Sequence, residues 1–437
     1  MERWPPSLPF ERSKALKKLI AVILMFLGAV AALAEATGSQ RSFESPAQLS
    51  VANAQRLIGK NPKDFEAYNA LALALARRAR ETSDPNFYAQ AEEALQKSFA
   101  VSPGNYDGAR IQVWLLLGEH EFAAALEEAT KLNKRIPDDV MVYGFLTDAN
   151  VELGNYSDAE HAAQWMLNLR AANLAGLTRA AYLRELYGDP EGAVELMKMA
   201  LDSTPPSEVE DRAWITTQIA HLKMATGKTG EAEELLQQAI ASFPGYHYAL
   251  RNLGKLRMQQ KRYDEAVALF QQRYQAASHA ENLFDLAEAQ QIAGRTLDAR
   301  QSFAEFERKS LAETNRADNS NHELIIYYAD YANQTAKALE VASREYARRH
   351  DVFTLDCYAW ALHVNGQDVE ARKKIEAALA VGIQDANMLR HAGEIALSSG
   401  DIVAAQRYLR HAADLNAPDS DRARATLASL STGSAQK

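Results

Sequence analysis

Only one of the 437 residues is cysteine, Cys357. No disulfide can close within the chain, so its fold must be held by burial, and the lone thiol reads as a small buried apolar side chain. Alternating runs of Val, Ile and Thr are missing, which removes the period-two pattern of a half-buried strand. Ala and Leu are plentiful instead and favour helix along nearly the whole length. With 21 Gly, 13 Pro and 47 % apolar residues the chain is neither collagen-like nor disordered. Its formal charge is −9 with no basic block. A large nucleic-acid footprint is therefore not expected.

Catalytic signatures are missing too. Gly227-Lys228-Thr229 has the tail of a phosphate-binding loop, G-x-x-x-x-G-K-[ST], but Leu222 stands where its first glycine belongs. The preceding "RAWITTQIAHLKMAT" reads as helix, where such a loop needs a strand. Asn321-His322-Glu323 begins like a zinc-protease helix, yet Ile326 holds the place of the second histidine. The ten histidines show no metal spacing and no Gly-x-Ser-x-Gly elbow occurs. Carboxylate pairs such as Glu127–Glu128 and Glu233–Glu234 read as solvated faces. No enzyme activity, cofactor or metal is expected.

The N-terminus is a separate object. Arg12, Lys14, Lys17 and Lys18 precede an uncharged apolar run of 16 residues, Leu19 to Ala34, followed by small residues suited to signal peptidase. A spanning helix needs about 20 such residues. Residues 1–34 thus read as a secretory signal cut after Ala34 or Ala36, with an uncleaved membrane anchor as the alternative. Either one places the chain in an exported, periplasmic or cell-envelope space.

What is present is a period. Turn glycines fall at Gly118, Gly154, Gly188, Gly227, Gly294, Gly366 and Gly400, with Lys261 and Asn333 standing in two gaps. Successive spacings are 36, 34, 39, 34, 33, 39, 33 and 34. Five residues past each turn position is an alanine: Ala123, Ala159, Ala193, Ala232, Ala266, Ala299, Ala338, Ala371 and Ala405. Only a methyl fits where two helix backbones approach most closely. A larger apolar group usually follows four residues later (Met197, Leu236, Phe270, Phe303, Ile375, Leu409). Each unit is therefore a helix, a tight turn and a second helix with an i, i+4, i+7 apolar stripe. An interrupted first unit begins near Asp64, making about ten over residues 64–418.

This pattern resembles the tetratricopeptide repeat, with its period of about 34 residues. "LRNLGKLRMQQKRYDEAVALFQQ" from Leu250 carries it through Leu253, Gly254, Tyr263, Ala266 and Phe270, and the stretch from His391 through Gly393, Gly400, Ala405, Leu409, Ala412 and Pro418. The resemblance implies an all-α solenoid, a right-handed superhelix whose inner wall is lined by first helices. Residues 35–45 read as a flexible leader, 46–62 as a covering helix and 419–437 as a capping helix and tail. The 39-residue spacings divide the repeats into sub-stacks 64–206, 207–313 and 314–418.

By the same resemblance the second, fifth, ninth and twelfth positions of each unit face inward. They put Tyr182, Trp214, His221, Tyr248, Arg251, Lys255, Phe284, Glu288, Tyr327, Asp356, Trp360, Arg390 and Glu394 on or beside the wall. Aromatic and arginine side chains suit peptide capture, and Arg251 with Lys255, four apart, suits a partner's carboxylate. The implied role is a non-catalytic scaffold that binds partner proteins. The alternative is a receptor for an envelope glycan, with Trp214, Tyr248 and Trp360 as stacking platforms.

Overall fold

The computed structural model describes residues 44–434 apart from 315, 317, 318, 416 and 418. The expected signal or anchor, residues 1–34, lies outside the described residues. Among the described residues there are 22 α-helices and no strand, and no helix is long and apolar enough to cross a membrane. From Ser45 onward the chain forms one compact body.

A lone helix, α1 (Pro46–Lys60), leads into ten helix pairs. Units 1 to 3 are α2 (Phe65–Thr82) with α3 (Asn86–Val101), α4 (Tyr106–Gly118) with α5 (Phe122–Arg135), and α6 (Val140–Glu152) with α7 (Tyr156–Leu169). Units 4 to 6 are α8 (Leu174–Leu186) with α9 (Pro190–Ser203), α10 (Val209–Ala225) with α11 (Thr229–Ser242), and α12 (His247–Gln259) with α13 (Tyr263–Ala276). Unit 7 pairs α14 (Ala280–Ile292) with α15 (Thr296–Glu313). Unit 8 pairs α16 (Asn321–Ile326), extended by a π-helical turn at Tyr327–Tyr331, with α17 (Thr335–Tyr346). Units 9 and 10 are α18 (Val352–Val364) with α19 (Asp368–Leu379), and α20 (Ala386–Ser398) with α21 (Ile402–Asp414). A closing helix, α22 (Ser420–Ser434), follows.

Local chemistry explains these boundaries. Several first helices start on a side-chain cap, as Asp64, Asn105, Asp139, Asn173, Asp351 and Asp385 do. Ser45 and Gln48 close a capping box on α1. Eight of the ten first helices end in a left-handed residue with a bond spanning five residues, as where the Asn155 N–H donates to the Asn150 carbonyl around Gly154 (φ 77°). Lys261 (φ 61°) and Asn333 (φ 51°) adopt the same conformation without glycine. Past each turn, Ala159, Ala193, Ala232, Ala266, Ala299, Ala338, Ala371 and Ala405 are fully buried.

Unit 2 departs from the expected register. Its left-handed residue is His120 (φ 61°), not Gly118. Gly118 is helical, and a Cβ there would meet the Tyr88 ring at 2.6 Å, so this glycine serves packing. The buried methyl is accordingly Ala125, while Ala123 is exposed. The spacing to Gly154 becomes 34 instead of 36.

The coil closes on itself. Arg80 at the end of unit 1 pairs with Glu210 and, at 2.7 Å, with Asp211 of unit 5, and the Tyr246 hydroxyl donates to Glu210 at 2.7 Å. His247 bonds the Arg80 carbonyl at 2.9 Å. Arg349, just before unit 9, pairs with Glu152 of unit 3, and the Val352 N–H donates to the Tyr156 hydroxyl at 3.0 Å. Gly188 of unit 4 lies so near the loop before unit 10 that a Cβ would stand 2.5 Å from the Gly382 carbonyl oxygen. Apolar side chains fill this seam, with Val151, Leu183 and Leu186 clustered with Val352, Leu362 and Ile383. Finally α22 packs Ala423, Leu427 and Leu430 on unit 10 and reaches units 6 and 7 through Asp421–Lys261 (3.1 Å) and Arg422–Glu288 (3.1 Å).

Candidate interaction surface

First helices of neighbouring units are wired together by one side-chain bond after another. Arg179 pairs with Asp148 (units 4 and 3), and His221 bonds Glu185 at 2.8 Å (units 5 and 4). Arg251 donates to Asp285 at 3.0 Å (units 6 and 7), and the Tyr331 hydroxyl to Glu288 at 2.6 Å (units 8 and 7). The Trp360 indole N–H donates to Asp330 at 2.8 Å (units 9 and 8), and His391 bonds Asp356 at 2.7 Å (units 10 and 9).

The expected wall residues are therefore mostly engaged inside the fold. Phe284 is buried against Phe303 and Phe306, and Tyr327 stacks over Phe303 at 5.2 Å. Tyr182 packs into the seam core, and Trp214 lies half-buried between two core clusters. Tyr248 is half-buried with its ring 3.9 Å from that of His247. Trp360 is buried, with its ring stacked on His391 at 4.2 Å and the Arg390 guanidinium over the ring at 5.1 Å. Arg390 also donates to Glu394 at 3.0 Å. A platform for a sugar ring is thus not presented by Trp360.

The electrostatics follow. Asp285 is buried, which by itself raises a carboxyl, but Arg251 and Arg273 outweigh this and hold it below the usual range. Burial raises Glu288, with Asp419 adding to it and Arg422 opposing. Burial lowers His221, but Glu185 more than reverses this. Lys255 differs from its neighbours: among the described residues it makes no hydrogen bond or ion pair. The nearby Arg251 guanidinium, then burial, lowers its pKa. Of the Arg251–Lys255 pair, Arg251 is engaged with Asp285 through its Nε, whereas Lys255 makes no such bond. Among the described residues no cluster of His, Cys, Asp and Glu is placed to hold a metal ion; His322 instead bonds Thr354 at 3.0 Å.

Comparison with known families places this geometry. The sequence profile of the tetratricopeptide repeat matches residues 217–281, from the first helix of unit 5 to the start of unit 7, and the same helix pair recurs on either side. Residues 217–281 carry the tetratricopeptide repeat. No curated protein matches the chain. Among solved structures this chain is similar to PilW, described as a widely conserved type IV pilus biogenesis factor, at 13 % identity and a TM-score of 0.40, over 47 % of this chain and 94 % of that one. It is also similar to the human IFIT1 dimer with PPP-AAAA, at 16 % identity and a TM-score of 0.47, over 86 % and 92 % of the two chains.

One tetratricopeptide-repeat surface escapes a search confined to first helices. Second helices α5 and α7 flank a groove of about 590 Å3 over α6, and Trp165 stands half-exposed on its rim. The available signal was Trp165 itself, a large aromatic on the outward face of a second helix where the i, i+4, i+7 stripe does not need it.

Proposed function

We propose that this protein is a non-catalytic scaffold of the cell envelope, exported by its N-terminal segment and holding one or more partner proteins. The observation that carries the reading is the uninterrupted array of ten tetratricopeptide-type helix pairs, with no helix-free stretch large enough for a separate catalytic domain among the described residues. The export element rests on the basic and apolar layout of residues 12–34. A formal charge of −9 favours protein partners over nucleic acid. Lys255 is the wall residue we assign to partner contact, because its ammonium is not already committed. Replacing it in the full chain by Lys255→Glu should weaken capture of partners from envelope extract while far-ultraviolet circular dichroism stays unchanged. Undiminished capture with intact helicity contradicts the assignment. Mass spectrometry of the mature N-terminus tests the export element separately.

A further inference from the structure

Grooves between the second helices of neighbouring units recur in one register. Between units 6 and 7 the groove is polar, and an ion pair spans it: Arg295, one past its turn, meets Asp264, three past its turn, at 2.5 Å. Lys228 and Glu191 occupy the same two positions between units 4 and 5, also at 2.5 Å. Between units 2 and 3 those positions hold Asn155 and Ala123, which cannot form such a pair. There, among the described residues, no ion pair spans the groove, and its aromatic residues are local to it. Trp165 and Tyr143 stand where units 6 and 7 have Glu305 and Leu283.

The lining combines two kinds of surface. Trp165 is 48 % exposed and its ring lies 6.2 Å from that of Tyr143, tilted 48° to it. One and two helical turns away on the same face of α7 are His161 and Asp158, whose side chains make no hydrogen bond or ion pair among the described residues. Beside them are the side-chain amides of Asn150 and Asn155, the second donating to the first at 3.1 Å. At 1.5 Å rise per residue, Asp158 and Trp165 are roughly 10 Å apart along the helix.

This chemistry discriminates between occupants. No lysine or arginine lines the groove, and its one carboxylate repels nucleotides and phosphopeptides. An apolar helix laid here strips water from Asp158 and His161 without replacing their hydrogen bonds, which is costly. A neutral sugar ring does replace them, setting its C–H face on the indole and its hydroxyls against the carboxylate, imidazole and amides. The distance from Trp165 to Asp158 requires more than one ring. We propose that the groove between units 2 and 3 is a binding site for a neutral oligosaccharide of two or more β-linked pyranose residues, whose flat apolar faces stack on Trp165.

This site is independent of the protein-binding reading, since Lys255 lies in unit 6 and is tested by partner capture. Titration calorimetry of the full chain with cellotetraose and chitotetraose, and maltotetraose for comparison, tests it. The expected result is saturable binding of at least one β-linked probe, weakened about tenfold or more by Trp165→Ala and several-fold by Asp158→Asn. Both changes are at exposed or half-buried side chains, and circular dichroism checks that each variant is folded. Absence of binding by the parent chain at millimolar sugar overturns the proposal. So does equal binding by Trp165→Ala, or saturable binding of an amphipathic Leu/Lys helical peptide that depends on Trp165 when no sugar binds.

Discussion

Arg349 donates a hydrogen bond to the Glu152 carboxylate, 197 positions away in the chain. The two belong to different turns of the coil, and their contact is one of several along a continuous seam. A repeat array is usually stabilised by neighbours alone. Here units 1, 3 and 4 also rest on units 5, 6 and 9, on the segment joining units 8 and 9 and on the loop before unit 10.

Breaking the Arg349 contact should therefore cost more than a surface ion pair. Arg349→Ala leaves Glu152 and Asp351 without their guanidinium and removes a stack on Phe122. We expect a loss on the order of 2 kcal/mol in urea denaturation. Arg308→Ala, which breaks the exposed pair with Glu305, should be nearly silent.

Two seam residues give opposite pH dependences. Burial pushes Glu152 up to about 7, the Arg349 guanidinium only partly opposing and Asp351 and Asp148 adding to the rise. The folded chain then holds this proton more tightly than the unfolded chain, so the contribution of Glu152 to stability falls as pH rises from 4.5 to about 7 and is flat above. His247 is lowered to about 4, chiefly by burial. Its contribution is fully present above 6.5 and is lost as pH falls towards 4. Relative to the parent chain, Glu152→Gln should gain stability with rising pH through the first window. His247→Asn should lose the acid-side decline. Denaturation midpoints across pH 4 to 8 check both signs.

The alanine register makes a packing prediction. Ala232 is fully buried where α11 crosses its neighbours, whereas Glu234 is exposed. Ala232→Leu should overpack the crossing and cost about 1–3 kcal/mol. Glu234→Lys should change little. Equal effects in thermal denaturation contradict the register.

Two turn glycines separate backbone strain from seam contact. Gly366 (φ 74°) has open space where a Cβ would stand, so Gly366→Ala should cost about 1–2 kcal/mol for its left-handed conformation alone. Gly188 (φ 78°) carries the same strain and also faces the Gly382 carbonyl. Gly188→Ala should therefore be clearly the more damaging of the two.

Much of this architecture was legible in the sequence because it repeats. The buried methyl past the expected turn marks eight of the ten second helices, and with the spacing it locates Lys261 and Asn333 as turns without glycine. Unit 2 misled because Gly118 and His120 are two residues apart and the glycine serves packing against Tyr88. The seam was not legible, because Arg80–Glu210 and Arg349–Glu152 join positions with no periodic relation. For the same reason Tyr182 was expected to face a partner, while the fold packs it into the seam; Arg251 is engaged instead with Asp285 of the next unit. The π-turn at Tyr327–Tyr331, which brings the Tyr331 hydroxyl to Glu288, has no sequence mark either.

The closed coil is tested most directly by double electron–electron resonance between spin labels at exposed Gln164 of α7 and Lys373 of α19, in a Cys357→Ala chain. A seam holding these turns together gives one narrow distance population, which broadens to longer distances when Arg349→Ala is added. A broad, long distribution already present before that change contradicts the closed coil.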